Sequence, residues 1–198
     1  MFEMSLALVA FLFPLAYSPG PGNMFFAANG ARFGLAATVP ASAGYHAATW
    51  AVTAATGFGF AAAADLVPGF LVAIRWLGAG YVFLIAWRFL RAGASAGGPE
   101  AAPAGFVDGA MLLLLNPKAY VIIVLLFSQF LTAPGGGAVA DVLWITTVFT
   151  LNNLVAFTVW TVIGSRLGAR FRDAGGARRL NAAFGTILAL VALWMLAG

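Results

Sequence analysis

The sequence predicts an all-α membrane protein: a bundle of six membrane-spanning helices, built as two inverted three-helix repeats with broken helices 1 and 4. Three observations support this fold class. Of the 198 residues, 63% are hydrophobic and only 8% are charged, whereas soluble domains carry about 25% charged residues. Six segments contain the roughly 20 mostly apolar residues that a helix needs to cross a bilayer. Two of these segments are interrupted by Pro beside Gly or Asn.

The six predicted spans are separated by short turns and by one longer linker, residues 91–105. The linker is rich in Gly, Ala and Pro, so we expect it to be flexible. It divides a single membrane domain, 1–198, into a first three-helix half, 1–90, and a second half, 106–198. The predicted spans are residues 4–28, 35–63, 69–90, 105–131, 139–164 and 179–197.

The distribution of basic residues predicts the orientation. Cytoplasmic loops of membrane proteins are enriched in Lys and Arg, and Arg75 is the only arginine on one side of the predicted bundle. The other side is therefore expected to be cytoplasmic, which puts both termini outside a bacterial inner membrane. Because no basic residue precedes Arg32, we interpret the N-terminal run as a retained span and not as a signal peptide. The cytoplasmic arginines would be Arg32, Arg88, Arg91, Arg166, Arg170, Arg172, Arg178 and Arg179.

Helix 1 is interrupted by the stretch SPGPGN, residues 18–23. Proline removes a backbone N–H and crowds the carbonyl four residues earlier. Within lipid, such a break is tolerated only where protein or water surrounds it. An opened turn whose free N–H groups bind an anion is one interpretation, and an ordinary proline kink is the other. The candidate binding residues here are Pro19, Gly20, Pro21, Gly22 and Asn23.

Helix 4 is interrupted by LNPKA, residues 115–119, which adds Asn116, Pro117 and Lys118 as candidates. Three helices per half put the halves in opposite orientations, and many secondary transporters bind substrate where two such broken helices meet. An ammonium within the membrane is costly without a partner, and every Asp and Glu lies at a predicted helix end or in a loop. A substrate carboxylate could pair with Lys118, or the lysine could simply tie the broken backbone together.

Three further polar residues lie within predicted spans. Asn152 and Asn153 are adjacent in helix 5, so at least one faces the interior, where it lines a pathway or joins helices. His46 in helix 2 could carry protons or could be a packed neutral histidine. Lys118 and His46 are the two candidates for proton coupling.

Other function classes find little support. With no cysteine, disulfides and thiolate metal sites are excluded. We find no paired intramembrane aspartates, no metal-ligand spacing and no GxxxxGK[ST]. We therefore expect no enzyme activity, no cofactor and no metal site. The scattered arginines form no patch dense enough for nucleic acid.

Taken together, these motifs resemble the LysE/RhtB family of bacterial amino-acid exporters, through residues 18–44, 78–91, 106–120 and 178–193. The resemblance implies a secondary transporter that exports amino acids or small derivatives across the inner membrane, driven by a proton or ion gradient. Its partners would be the amino-acid substrate and the lipid bilayer, and a homo-oligomer is compatible with it. An ion or metal-cation permease and a non-transporting scaffold remain alternatives. The family's motif positions map onto Pro19, Gly20, Pro21, Gly34, Gly44, Gly109, Asn116, Pro117 and Lys118.

This sequence departs from the family pattern at three places. Gly22 separates the PGP motif from Asn23, Pro40 stands where Gly is usual, and Ala86 stands where helix 3 often has Gly. These changes lie near the expected cavity or its packing, so they bear on the substrate more than on the fold.

Overall fold

The computed structural model describes the chain as helices joined by short connections. The helices are α1 (Phe2–Tyr17), α2 (Pro21–Phe58), α3 (Phe106–Leu114), α4 (Pro117–Phe130), α5 (Ala138–Arg170) and α6 (Ala174–Ala197). The residues that it describes are 2–18, 20–59, 76–77, 79–81, 83–84, 86–87, 90–91, 102–131, 138–170 and 174–197.

No strand occurs among these residues, and those of 76–91 that are described are also helical, so the all-α prediction is confirmed. One helix segment, Val139–Arg170, is long and apolar enough to cross a membrane alone, and up to three spans result if the bent pairs α1–α2 and α3–α4 each form one. The count of six spans stays a prediction, because much of the third span and of the 91–105 linker lies outside the described residues.

Helix α2 consists of two helical segments that meet at Gly34, where φ is 84° and ψ is 173°. Residues other than glycine adopt such a positive φ only with strain, because they carry a Cβ atom. The Asn29 side-chain amide donates to the Thr38 hydroxyl at 3.3 Å across nine residues, a separation that would span about 13 Å in a straight helix. The chain therefore turns back at Gly34. The second predicted span begins here as expected, but the first continues beyond its predicted end at residue 28.

The first segment of α2, residues 21–33, runs parallel to α5. A methyl group on Gly164 would collide with the backbone of Ala27, and one on Gly168 would collide with the backbone of Ala31. Residue numbers thus rise together along the two helices. Small residues at these contacts let the backbones approach closely, as is common between membrane helices.

The second segment of α2, residues 35–58, runs antiparallel to α5. The rings of Tyr45 and Phe157 lie 4.7 Å apart, and a methyl group on Gly57 would approach Val142 to 2.7 Å. Because higher numbers on α2 meet lower numbers on α5, this segment passes along the same helix in the opposite direction. The reversal packs both segments of α2 against α5.

The first bent pair, α1 with residues 21–33, runs antiparallel to the second, α3 with α4. Phe11 and Phe130 pack edge to face at 5.5 Å, and the backbone N–H of Ala104 donates to the side-chain oxygen Oδ1 of Asn29 at 3.5 Å. The second pair is bent by 63°. This arrangement brings the two breaks together.

Candidate functional site

The break in the first pair leaves four backbone carbonyls at the end of α1 in need of donors. Helix α1 ends at Tyr17, and the last carbonyls of any helix lack intrahelical partners. Pro19 and Pro21 stand four residues after Leu15 and Tyr17, where an uninterrupted helix would supply an N–H that proline does not have. Away from water, these oxygens must find other donors.

Side chains donate to all four of these carbonyls. Two donors come from the turn itself and two come from distant helices, so the break is held by the tertiary structure. The pairs are Ser18 Oγ to Leu15 at 3.1 Å, Asn23 Nδ2 to Ala16 at 2.8 Å, Trp160 Nε1 to Tyr17 at 3.3 Å, and Lys118 Nζ to Ser18 at 3.1 Å.

Lys118 crosses from the second break to the first. Its half-buried ammonium donates to both the carbonyl and the hydroxyl oxygen of Ser18, at 3.1 and 2.9 Å. A methyl group on Gly20 would lie 3.1 Å from Nζ and 3.2 Å from Cδ, so the absent side chain leaves room for the lysine. A cation is favoured at a helix C-terminus, and neither of these acceptors is a carboxylate.

The second break is closed by Asn116 and Tyr120. Asn116 caps α4, because its Oδ1 accepts the backbone N–H of Lys118 at 3.1 Å. The Tyr120 hydroxyl donates to the carbonyl of Leu114, the last residue of α3, at 3.1 Å. The cap leaves the Asn116 amide free to donate elsewhere, and its Nδ2 lies 3.3 Å from the phenol oxygen of Tyr45.

Tyr45 joins the two breaks from the second segment of α2. It is 1% exposed, accepts from Asn116, and lies so close to Gly22 that a methyl group there would be 3.5 Å from its hydroxyl oxygen. The same methyl group would be 2.6 Å from Phe157. Glycine at position 22 therefore lets α2 begin against two aromatic rings.

The region between the breaks is electropositive. Helix α2 begins at Pro21, and the N–H groups of Gly22 and Asn23 have no acceptor among the residues described. A helix N-terminus carries partial positive charge and binds anions readily. The Lys118 ammonium beside Gly20 adds a full charge, so a group of negative charge is attracted here.

The structure thus gathers most of the predicted candidates but not all of them. Gly20, Pro21, Gly22 and Asn23 meet Asn116, Pro117 and Lys118 at the paired breaks, whereas Pro19 lies outside the described residues. No described contact joins Asn152, Asn153 or His46 to either break.

His46 lies instead on the face of α2 that packs against α5. Its Nδ1 is 2.7 Å from the Ser42 carbonyl oxygen, and its ring packs on Phe157 at 5.6 Å. Nε2 points towards the backbone of Asn153 but makes no hydrogen bond of good geometry. Asn153 is buried, and the Asn152 side-chain nitrogen is also buried without a partner.

Sequence reasoning missed Tyr45 and Trp160. A tyrosine in mid-span was a usable signal, because a buried phenol needs a hydrogen-bond partner. The indole N–H of Trp160 gave the same kind of signal, but nothing in the sequence pointed to its partner Tyr17, which is 143 residues away. In the described part of the chain, no group of three His, Cys, Asp or Glu could hold a metal ion.

Comparisons with known proteins identify a family and relatives of the chain. A family model described as LysE type translocator matches residues 13–198. An uncharacterized membrane protein of Vibrio cholerae is 30% identical over 191 residues, covering 93% of this chain and 91% of that protein. One from Pseudomonas aeruginosa is 26% identical over 170 residues, covering 78% and 76%. No solved structure matches the chain.

Proposed function

The chain belongs to the LysE type translocator family and is therefore a membrane transporter, and from this premise we propose that it exports amino acids or small amino-acid derivatives across the bacterial inner membrane. A proton or ion gradient would drive the export. One observation carries the proposal: the Lys118 ammonium lies at the paired breaks beside the start of α2, bonded only to Ser18 among its described contacts.

We assign the substrate carboxylate to the space between Lys118 and the start of α2. A lysine ammonium has three N–H donors, and two of them reach Ser18, so one remains for a ligand. The N–H groups of Gly22 and Asn23 supply neutral donors on the other side. Hydrogen bonds to a charged acceptor are about twice as strong as neutral ones, which favours an anion over water.

Asn23 and Asn116 are the candidates for contacting the rest of the substrate. The amide nitrogen of each is engaged, with Ala16 and Tyr45 respectively. The carbonyl oxygen of Asn116 caps α4, whereas no described donor reaches that of Asn23. Asn23 can therefore accept from a substrate ammonium without breaking a hydrogen bond.

The proposed transport mechanism is alternating access between two inverted three-helix halves. Its support is the antiparallel course of the two bent pairs, shown by the Phe11–Phe130 contact near one end and the Lys118–Ser18 contact at the breaks. In such transporters one half rocks against the other around a central site. Lys118 and His46 are the proposed residues for proton coupling.

Counterflow in proteoliposomes tests the proposal. Vesicles loaded with an unlabelled amino acid should accumulate the labelled one, and an amino alcohol that lacks the carboxylate should compete poorly. Lys118→Met should raise the half-saturating concentration about tenfold to a hundredfold, the effect of losing one charged hydrogen bond. Gln129→Met, an exposed position on the same helix, is the matched control and should transport normally.

Two outcomes would count against the proposal. Wild-type kinetics in Lys118→Met, or equal competition by the amino alcohol, would refute the carboxylate role of the lysine. Absence of counterflow for every amino acid tested, with cation flux in its place, would refute amino-acid export itself.

A further inference from the structure

A line of polar residues lies between α2 and α5, apart from the paired breaks. We call it the polar seam. The register of the two helices defines it: His46 lies towards Asn153 and Gly57 lies against Val142. These two pairs fix the alignment of the antiparallel helices, and in that alignment Thr53 of α2 lies at the same height along the interface as Thr146 of α5. The seam consists of His46, Thr49 and Thr53 on α2 and of Thr146, Thr150 and Asn153 on α5.

Helical periodicity puts these side chains on the faces by which α2 and α5 contact each other. Thr53 is one turn before Gly57, which contacts α5, and Thr146 is one turn after Val142, which contacts α2. Positions four apart share a helix face. Both threonines are fully buried, with 0% of their surface exposed, so their hydroxyl groups lie inside the protein and not against lipid.

The hydroxyl groups of Thr53 and Thr146 have no partner, unlike those of the other threonines in these helices. Buried polar groups in proteins are nearly always hydrogen-bonded, to the protein or to water. Thr53 Oγ1 and Thr146 Oγ1 reach no acceptor or donor in the described structure. Elsewhere the hydroxyl donates to the carbonyl four residues earlier at 2.7 to 2.8 Å, as in Thr49, Thr147, Thr150, Thr158 and Thr161.

His46 presents a free lone pair to the same seam. Its Nδ1 lies 2.7 Å from the Ser42 carbonyl oxygen, which can only accept, so this contact favours the tautomer with the proton on Nδ1. Nε2 is then an acceptor, and it is buried without a partner. Three orphaned polar atoms thus line about 10 Å of one interface, the rise of α2 from residue 46 to residue 53.

Apolar side chains close the seam at both ends. Beyond Thr53, Gly57 packs so tightly on Phe127 and Val142 that a methyl group would not fit. At the other end, the His46 ring packs on Phe157, which also touches Gly22 at the first break. The Phe157 ring therefore lies between the seam and the proposed substrate site.

We propose that α2 and α5 enclose a file of water molecules between His46 and the Thr53–Thr146 pair, and that this file is the proton path that drives transport. The inference rests on the proposed export function. His46 accepts a proton at Nε2 from the water file and returns it to the file when the seam opens to the other side. The net change in the ring is zero, and one proton crosses.

The groups around His46 suit this role. The described contacts of its ring come from Ser42, Tyr45, Phe157 and the backbone of Asn153. Of these groups only the Tyr45 phenol can titrate. No charged side chain is among these contacts, so the proton on His46 is not held by a neighbouring carboxylate.

Thermal unfolding in detergent tests the water file without reference to activity. Thr53→Val and Thr146→Val keep the side-chain shape and remove the hydroxyl. If the seam were dry, valine would relieve an unsatisfied polar group and raise Tm. If water fills it, valine would strand a bound water molecule, and Tm falls. A higher Tm in both variants would overturn the proposal, and a lower Tm in either supports it.

Two transport assays separate proton coupling from substrate binding. Counterflow at equal pH needs no net proton movement, so His46→Gln and the Thr53→Val, Thr146→Val pair should leave it within about twofold of wild type. The initial rate of transport driven by a pH gradient should fall about a hundredfold, the lower end of what removal of a proton-transfer group costs. The control is Thr161→Val, also buried but with its hydroxyl bonded to Phe157, and it should retain both activities.

The outcomes distinguish this inference from the export proposal. Gradient-driven transport at the wild-type initial rate in His46→Gln and in the double valine variant would overturn the proton path while leaving export intact. Absence of counterflow in the wild type would refute export, and the Tm comparison would still decide whether water fills the seam.

Discussion

Single residues hold the first break together by donating to carbonyls that the break leaves without partners. The Trp160 indole reaches the Tyr17 carbonyl, and the Asn23 amide reaches that of Ala16. In a loop exposed to solvent, water would donate these hydrogen bonds. Inside a membrane, each carbonyl without a donor costs about 2 kcal/mol or more. This cost explains why several polar side chains donate hydrogen bonds to the carbonyls of so short a turn.

Trp160→Phe tests this at one bond. The change keeps an aromatic ring and removes the donor to Tyr17, so we expect a loss of about 1–3 kcal/mol in unfolding free energy and a lower Tm by circular dichroism in detergent. Trp144→Phe is the control, because the Trp144 indole donates to Ser5 on an exposed surface. Equal Tm values for the two variants would show that the Trp160 bond contributes nothing.

Among the elements, α2 decides the architecture because it reverses. Gly34 is the one described glycine with a positive φ, and it separates a segment parallel to α5 from one antiparallel to it. Both segments then pack against α5 through glycine contacts at Gly164, Gly168 and Gly57. The reversal places Tyr45, from the second segment, beside Gly22 at the start of the first.

Gly34→Ala tests the reversal. Space is no obstacle, since a methyl group on Gly34 would meet nothing within 4 Å, so any loss comes from the backbone. With φ at 84° and ψ at 173°, the backbone lies in a region that is essentially restricted to glycine, and a residue held there costs about 1–3 kcal/mol, which should lower Tm. Gly80→Ala has the same open surroundings on an ordinary helical backbone, so Tm should stay the same or rise slightly. Equal behaviour of both variants would contradict the strained turn.

For the whole molecule, the antiparallel bent pairs and the arginine distribution predict one orientation in the membrane. Exposed basic residues gather at the ends of α5 and α6, at Arg166, Arg170, Arg178 and Arg179. The positive-inside rule places that end in the cytoplasm. We therefore expect the N-terminus of α1 to lie outside.

Cysteine labelling tests this orientation cleanly, because the chain has no native cysteine. Glu3→Cys and Arg170→Cys are both at exposed positions. A membrane-impermeant maleimide should label the first in intact spheroplasts and the second only after permeabilisation. The reverse pattern would show that the topology is the opposite of the predicted one.

The amino-acid sequence by itself determined that lipid surrounds the protein, where both helix breaks lie, and that Lys118 needs a partner. These follow from local chemistry: apolar composition selects lipid, proline lacks an N–H wherever it stands, and an ammonium in a span must be paired. Gly34 as a family motif position was also visible, although its conformation was not.

Only the tertiary structure decided which partners meet. Trp160 and Lys118 reach carbonyls 143 and 100 residues away, and the Thr53–Thr146 alignment depends on the register of two helices. Helical periodicity shows which residues share a face, but not which helix that face meets. That choice depends on side-chain packing between segments distant in sequence, and no local pattern of residues encodes it.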